Sequence, residues 1–200
     1  AITEVFSGKF GSAGNKVILE EKIEGPEVSI FALCDGEKLI VLPPAQDHKR
    51  LLAGDKGPNT GGMGAYSPAF IIDRKIEKKI ITKIVMPTLK ALKKKKNPYT
   101  GFLYVGLMIV KNEPYLIEYN VRMGDPECQA ILPRLKTDLV KIFTSALKNK
   151  LNKLSINWKN NKCMTIVLCS KGYPGKYEKY QEINNLSKIK LKKNSFIFHA

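Results

Sequence analysis

The chain has 200 residues, of which 44% are hydrophobic and 26% charged, and its formal net charge at pH 7 is +16. This composition excludes a disordered polypeptide and predicts a globular chain with one sizeable core. Its longest apolar stretch, residues 102–110, is too short to cross a bilayer, and no charged segment followed by an apolar one marks a signal peptide. We therefore expect no membrane partner.

The first half of the chain begins with three predicted strands, at residues 17–23, 27–34 and 38–42, the last two joined by an Asp-Gly turn. Residues 46–68 then carry five glycines and two prolines, so they predict an irregular segment. A glycine-rich segment of this length inside a compact domain is uncommon unless it is functional. We therefore expect it to contribute to a site.

A long helix is predicted from Asp73, as its N-cap, to about Lys96, with apolar residues at helical spacing and with Pro87 bending or dividing it. Its last turn carries the one dense basic run, residues 93–96, where cations suit the helix dipole. No aromatic residues interleave with that run, as base stacking would require. We interpret the net charge as a general excess of basic residues across the chain and expect no specific nucleic-acid partner. The alternatives are attraction of a polyphosphate and binding of a nucleic acid.

A second hairpin is predicted from strands at residues 101–110 and 114–120, and a helix follows at residues 137–150. The chain turns polar around residues 154–161, which makes this stretch the best candidate for a domain boundary. Strand-like segments are expected beyond it, at residues 163–169 and 196–198.

The four cysteines form no CxxC pair, and the two histidines lie near none of them in sequence. A zinc site would need clustered ligands at short spacing, so the pattern excludes the usual zinc motifs. We expect buried free thiols in a reducing compartment, and hence a cytoplasmic protein.

Two polar residues on the predicted strand 114–120 could hold a metal ion. Glu118 and Asn120 are two residues apart, so both point to one face, which Leu116 would share, while Ile117 and Tyr119 pack behind. One carboxylate and one amide oxygen suit Mg²⁺, which takes its other ligands from water and phosphates. From the residues alone, a solvated strand face explains the pattern equally well.

Charged residues follow directly after this strand. Arg122 continues the same alternation and could stabilise charge on a transferring phosphoryl group. Asp125 could be the N-cap of a helix that begins with Pro126. Alternatively, Asp125 and Glu127 are carboxylates that meet an amine or hydroxyl of a substrate.

The glycine-rich residues 57–68 could form a backbone nest for a phosphate or carboxylate. They are not a Walker A loop, because no Gly-Lys-Ser/Thr ends them. Asn59 and Thr60 could add side-chain hydrogen bonds, and Asp47 and Lys49 bring charge just upstream. A purely structural turn is the alternative.

Nearer the start of the chain, Glu20, Glu21, Lys22 and Ile23, followed by Glu27, are similar to a hinge between strands. Backbone groups in such a hinge could meet the edge of an adenine ring. The spacing of these residues alone does not establish such a site. A nucleotide site is therefore a hypothesis at this point of the sequence.

Several segments, taken together, resemble the ATP-grasp superfamily and, within it, the phosphoribosylamine–glycine ligases. They run in the family's order from about residue 17 to residue 175, and the glycine-rich loop and the Asn-x-Arg…Gly-Asp-Pro-Glu run are highly specific. The matching segments are VILEEKIEGPEVS, QDHKR, GPNTGGMGAYSP, TGFLYVGLMI, LIEYNVRMGDPECQ and CSKGYPG.

The resemblance implies an α+β, ATP-grasp fold that is incomplete, with mixed or antiparallel sheets flanked by helices. It implies a remnant of the lid subdomain at residues 1–22, the ATP-grasp core at 23–158, and the start of a small C-terminal domain at 162–200. We therefore expect an internal piece of the enzyme, inactive or nearly so by itself. The strand before Glu118 carries no acid, which agrees with the glycine ligases but leaves a second metal ion poorly explained.

The resemblance also implies a reaction. ATP would phosphorylate glycine to glycyl phosphate, and the amine of 5-phosphoribosylamine would attack it, giving glycinamide ribonucleotide, ADP and phosphate in purine biosynthesis. The partners would be these small molecules, and the sequence does not predict the oligomeric state. The alternatives are another ATP-grasp carboxylate–amine ligase and a non-catalytic nucleotide-binding remnant.

The roles of the candidate residues follow from the resemblance. Glu118 and Asn120 would hold Mg²⁺, or Mn²⁺, against the phosphates of ATP. Arg122 and Asp125 would be catalytic. The adenosine would be bound by Glu20, Glu21, Lys22, Ile23 and Glu27. Glycine and phosphoribosylamine would be framed by Asp47, Lys49, Asn59, Thr60, Gly61, Gly62, Gly64 and Glu127.

Overall fold

A computed structural model describes residues 2–199 as a set of antiparallel strands with helices packed on them. The strands are Glu27–Asp35 (β1), Leu39–Val41 (β2), Gln46–Asp47 (β3), Arg50–Leu52 (β4), Lys56–Asn59 (β5), Gly64–Ser67 (β6), Thr100–Val110 (β7), Glu113–Asn120 (β8) and Cys163–Ile166 (β9). The α-helices are Ile2–Glu4 (α1), Arg74–Ile80 (α2), Met86–Lys94 (α3), Glu127–Ile131 (α4) and Leu139–Leu147 (α5). Short π or 3-10 segments lie at Val5–Lys9, Gly11–Asn15, Ile81–Val85, Leu132–Arg134, Leu151–Lys153 and Leu186–Lys188.

The central sheet has the strand order β2-β1-β7-β8, and all its pairs are antiparallel. Both faces of β1 are buried, because the sheet carries helices on each side. Val28, Ile30 and Ala32 point to one face, while Phe31 and Leu33 point to the other. The two predicted hairpins are therefore confirmed.

The first face of the sheet is covered by α2 and α3. Asp73 caps α2, since its carboxylate accepts a hydrogen bond of 2.7 Å from the backbone N–H of Ile76. Ile80 and Val85 are fully buried against the sheet. The π segment Ile81–Val85 divides the long helix just before Pro87, which has no N–H to continue the usual ladder, so the predicted division is confirmed.

The second face of the sheet is covered by α4, α5 and their connections. Phe31, Tyr104 and Ile131 are buried together there, and Leu33 packs with Ile142 of α5. Helix α5 begins at Leu139, two residues after the predicted start, because its N-cap is Asp138. This face becomes polar toward the start of β1, and the site lies at that end.

The glycine-rich region is more regular than predicted. A three-stranded sheet, β3-β6-β9, and the two-stranded hairpin β4-β5 lie within and beside it. The expectation of an irregular segment was wrong here, because the glycines fall mostly at turns and at strand edges. Strand β9 comes from beyond the predicted boundary and pairs with β6, with Ala65 opposite Thr165.

Three predicted strands differ in the structure. The segment 17–23 is irregular rather than a strand, and Ile18 and Leu19 are 87% and 82% exposed. A strand needs a hydrogen-bonded neighbour, and no described strand lies beside this segment. Strand β9 ends at Ile166, and residues 196–198 form no strand. No helix within residues 2–199 is long and apolar enough to span a membrane.

Candidate functional site

A small cavity lies on the second face of the central sheet, where β1, β7 and β8 meet the start of the glycine-rich region. Its volume is about 10 Å³, which is roughly room for one water molecule. The charged side chains therefore fill most of the site in this conformation. The residues that line the cavity are Glu27, Val28, Ser29, Asp47, Lys49, Tyr104, Gly106, Leu107, Ile117 and Glu118.

Glu118 and Asn120 lie side by side on β8. The Asn120 Nδ2 donates a hydrogen bond of 3.0 Å to Glu118 Oε1. This leaves the amide oxygen of Asn120 and the second carboxylate oxygen of Glu118 directed away from their mutual contact. The two side chains thus have the arrangement that the sequence predicts.

A β-bulge changes the rest of this strand. Glu118 is opposite Gly106, but Leu116 is opposite Leu107, so Ile117 is the additional residue. Neighbouring residues of β7 face opposite sides, and therefore Leu116 and Glu118 do not share a face. The prediction that Leu116 lies beside Glu118 and Ile117 packs behind was wrong, because Ile117 lines the cavity.

Lys49 closes the cavity by an ion pair with Glu27. The Lys49 Nζ lies 2.8 Å from Glu27 Oε2, and both side chains are about one-third to two-fifths exposed. Burial lowers the pKa of Lys49, but the bond to Glu27 outweighs it, so the pKa is raised and the amine stays charged. Thr60 holds the loop in place, since its N–H and its hydroxyl each donate a hydrogen bond of 2.8 Å to the carbonyl oxygen of Lys49.

Asp47 is the unusual carboxyl group of the site. Its Oδ1 atom is buried and has no hydrogen-bond partner. Burial and, after it, the charge of Glu127 raise the pKa of Asp47 to about 7, although the charge of Lys49 opposes this shift. Asp47 therefore exchanges a proton close to neutral pH.

The raised pKa of Asp47 predicts a pH-dependent stability. The folded chain keeps a proton that the unfolded chain loses near the ordinary value of 3.8, so stability should fall as the pH rises from about 4 to about 7. Asp47→Asn should remove the part of this loss of stability that comes from Asp47. Urea unfolding of both proteins at pH 5 and pH 8 would measure the difference. Equal losses in the two proteins would contradict the assignment.

Glu127 is 2% exposed and lies at the first turn of α4. Its Oε1 is 2.8 Å from the Ser29 hydroxyl, which lies 2.9 Å from the Tyr104 hydroxyl. Burial raises the pKa of Tyr104 to about 12, so its proton stays in place. The sequence reasoning missed Ser29 and Tyr104, although Ser29 is the one hydroxyl residue in a run of apolar residues of β1.

Two glycines allow the glycine-rich loop and the Gly-Asp-Pro-Glu turn to meet. A Cβ on Gly62, whose φ is +123°, would lie 2.4 Å from Pro126 Cδ and 2.9 Å from Asp47 Oδ1. A Cβ on Gly124 would lie 2.2 Å from Glu127 Oε2. Because neither carbon is present, the loop can lie against Pro126 and Asp47, and the Glu127 carboxylate can lie against Gly124.

The other predicted loop residues support this arrangement from a distance. Gly61 donates its N–H to the Tyr173 hydroxyl at 2.8 Å. Gly64 is buried in β6 and is opposite Ile166 of β9. Asn59 is exposed at the end of β5, away from the residues that line the cavity.

The remaining predicted residues do not reach the cavity. Glu20, Glu21 and Lys22 are exposed in the irregular segment before β1, while Ile23 is half-buried. Arg122 is exposed and donates a hydrogen bond of 3.0 Å to the Met123 carbonyl.

Asp125 does not act as a helix cap. The N-cap position of α4 is Pro126, and no side chain makes a capping bond there. The Asp125 carboxylate instead accepts a hydrogen bond of 2.8 Å from Gln129 Nε2. The capping interpretation was therefore wrong, and Asp125 remains exposed beside the buried Glu127.

Comparison with known proteins decides the family. The family described as phosphoribosylglycinamide synthetase, ATP-grasp (A) domain, matches residues 1–128, which is more than half of the chain. The chain belongs to this family. The predicted family and the predicted ATP-grasp fold are thereby confirmed for this phosphoribosylglycinamide synthetase domain.

Relatives of this chain are named phosphoribosylamine–glycine ligase. That of Vigna unguiculata is 49% identical over 196 residues, which cover 96% of this chain and 63% of that protein. That of Agrobacterium fabrum is 44% identical over 200 residues, covering 100% of this chain and 47% of that protein. The crystal structure of the Thermotoga maritima ligase has a TM-score of 0.72 at 36% identity, covering 80% of this chain and 40% of that chain. The chain spans about half the length of these relatives.

ATP-grasp ligases use ATP and divalent metal ions, and the family acts on small molecules. Within residues 2–199, no group of three or more His, Cys, Asp and Glu side chains is arranged to hold a metal ion. The adjacent Glu118 and Asn120 nevertheless fit an ion such as Mg²⁺, which needs few protein ligands when phosphates and water supply the others. The four cysteines are free, but only Cys34 is buried, so the expectation of buried thiols holds for that residue alone.

Proposed function

We propose that this chain supplies the ATP-grasp part of a phosphoribosylamine–glycine ligase. The observation that carries the proposal is the joint position of Glu118 and Asn120 beside a cavity that also gathers Glu27, Asp47 and Lys49. These residues come from segments far apart in the sequence. Membership of the phosphoribosylglycinamide synthetase family and relatives with the ligase name support the same activity.

In the proposed reaction, ATP phosphorylates the carboxylate of glycine, and the amine of 5-phosphoribosylamine attacks the resulting glycyl phosphate. The products are glycinamide ribonucleotide, ADP and phosphate. No covalent intermediate with the protein is required, so the chain acts by positioning and by electrostatic stabilisation.

Glu118 and Asn120 would hold Mg²⁺ or Mn²⁺ by one carboxylate and one amide oxygen. Such an ion, when bound, neutralises charge on the phosphates of ATP. Glu118 is opposite Gly106 in β7, which has no side chain and leaves space for the Glu118 side chain. The strand thus presents the carboxylate without a competing side chain across from it.

The nucleotide would lie toward the start of β1. Glu27, whose Oε2 forms the ion pair with Lys49, would accept hydrogen bonds from ribose hydroxyls. The exposed residues Glu20, Glu21, Lys22 and Ile23 lead directly to Glu27 and would meet the adenine. The small volume of the cavity means that nucleotide binding requires these side chains to move.

Glycine and phosphoribosylamine would lie between the glycine-rich loop and the turn before α4. Asp47 and Glu127 would offer carboxylates to amine groups. The loop from Asn59 to Gly64 would frame the substrates by its shape, since the N–H groups of residues 60–63 already donate to acceptors within the protein. Arg122 and Asp125, which are both exposed, would meet the transferring phosphoryl group and the amine after a modest side-chain movement. Free thiols agree with the cytoplasm as the compartment.

The proposal is tested by phosphate release from ATP with glycine and phosphoribosylamine, in a full-length ligase that contains this chain and in the 200-residue chain. We expect turnover of the full-length protein that requires both substrates, and at most about one-hundredth of it in the chain alone.

Each alternative function has its own outcome in this assay. Turnover with a different acid and amine, but not with glycine, would favour another ATP-grasp ligase. ATP binding by calorimetry without turnover in the full-length protein would favour a nucleotide-binding remnant. Turnover by the isolated chain at the full-length rate would contradict our expectation that it is inactive.

A further inference from the structure

We propose that Ser29 and Tyr104 are positioning residues that hold the Glu127 carboxylate in the orientation in which it meets the amine of a substrate. This inference rests on the proposed function. It is drawn from a continuous hydrogen-bonded chain that is almost completely buried: Ser29 is 3% exposed, Tyr104 5% and Glu127 2%. The contacts measure 2.9 Å between the two hydroxyls and 2.8 Å between Ser29 Oγ and Glu127 Oε1.

Ser29 is the donor at both contacts, because its Oγ is placed to donate to Glu127 Oε1 and to the Tyr104 oxygen. A serine hydroxyl has one proton and a carboxylate can only accept, so the two acceptors share this proton. A hydrogen bond to a charged acceptor is shorter and stronger than one between neutral groups, so the contact with the carboxylate is the stronger of the two. Tyr104 confines the Ser29 hydroxyl from its other side.

The Ser29 hydroxyl is held in place from both sides of its strand. Ser29 is opposite Gly106 in β7, and its backbone also exchanges hydrogen bonds of 2.8 and 3.0 Å with Ala45. The ring of Tyr104 packs edge-on against Phe31, with their centroids 5.3 Å apart. The donor to Glu127 is thus fixed by the central sheet and not by a mobile loop.

The carboxylate of Glu127 is confined from the opposite direction by Gly124, whose missing Cβ leaves the space that Oε2 fills. A fold that needed only a core at this position would carry apolar residues, because burying a serine, a tyrosine hydroxyl and a carboxylate is costly. The negative charge of Glu127 is felt at Asp47, which lines the cavity. The arrangement therefore fixes a negative charge beside the cavity with little freedom to turn.

The test uses two variants in a full-length ligase that contains this chain. Ser29→Ala should lower kcat/KM for phosphoribosylamine by about tenfold, and Tyr104→Phe by about threefold, because each removes one bond from the chain. The KM for ATP should change by less than about twofold. The matched control is Tyr99→Phe, which removes a half-buried hydroxyl bonded to the Phe102 carbonyl, outside the cavity lining.

A double-mutant cycle with Glu127→Gln separates this inference from the proposed function. If Ser29 acts through Glu127, Ser29→Ala should have little further effect once Glu127 is glutamine. A full tenfold loss in both backgrounds, or an equal rise in the KM for ATP, would overturn the positioning role. Normal turnover of Glu127→Gln alone would instead remove Glu127 from the proposed substrate site. If Ser29→Ala does not fold, the Tyr104→Phe cycle gives the same comparison.

Discussion

Glu118→Gln should reduce turnover of a full-length ligase that contains this chain by on the order of a thousandfold. Glutamine has nearly the same shape and can still accept the hydrogen bond from Asn120, so the strand should keep its structure. What is lost is the negative charge that would bind the metal ion against the phosphates of ATP. Steady-state phosphate release at saturating ATP would measure the effect.

The matched control for this variant is Glu113→Gln, at the start of the same strand. Glu113 pairs with Lys79 and lies 3.5 Å from Lys83 on the helix side, outside the cavity lining. Because this ion pair is exposed to solvent, its loss should change stability little and leave turnover unchanged. Near-normal turnover of Glu118→Gln would remove Glu118 from the metal site, and an equal loss in both variants would show a general effect on the strand.

Gly62→Ala should destabilise the chain by roughly 3 kcal/mol, because it combines backbone strain with a clash. The φ of +123° is rare for a residue with a side chain, and the added carbon would lie 2.4 Å from Pro126 Cδ and 2.9 Å from Asp47 Oδ1. The glycine-rich loop and the turn before α4 would have to separate. Urea unfolding at pH 7 would measure the loss.

Gly54→Ala is the comparison that isolates the clash. Gly54 also has a positive φ, of +73°, but the atom nearest to its added carbon is Lys56 Cε, at 4.0 Å. Its replacement should therefore cost only the backbone strain, about 1 kcal/mol. Equal losses for Gly54→Ala and Gly62→Ala would show that the close contact with Pro126 and Asp47 does not constrain the loop.

The parts of the fold that sequence predicted well are those fixed by local patterns. The β7–β8 hairpin, the Asp73 cap and the division before Pro87 each follow from residues that are neighbours in the chain. The pairing of Glu118 with Asn120 follows from the alternation of a strand in the same way. These features do not depend on knowing which segments meet.

The predictions were wrong where the structure of a segment depends on residues that are distant from it in the sequence. Residues 17–23 include three β-branched residues, which favour a strand, but no described strand pairs with them. The bulge that places Ile117 in the cavity depends on the register of β8 against β7, which the amino-acid sequence of β8 alone does not reveal. The burial of Glu127 under Ser29 likewise joins residues 98 positions apart.

The sequence nevertheless contained a signal for the buried hydrogen-bonded chain of Ser29, Tyr104 and Glu127. Ser29 and Glu27 share a face of β1 with Phe31 and Leu33, so the polar end of that face could have been assigned to the site. Tyr104 gave no such signal, because a tyrosine inside an apolar strand is ordinary core.

The pairing of β6 with β9, together with the bond between Gly61 and Tyr173, has a consequence for how the protein can be divided. A chain shortened to end near residue 160 would be cut at the polar stretch that the sequence favours as a domain boundary. It would also leave β6 without its outer neighbour and expose an unpaired strand edge next to the glycine-rich loop. The functional module therefore extends past the apparent linker, and its natural unit includes residues 163–173.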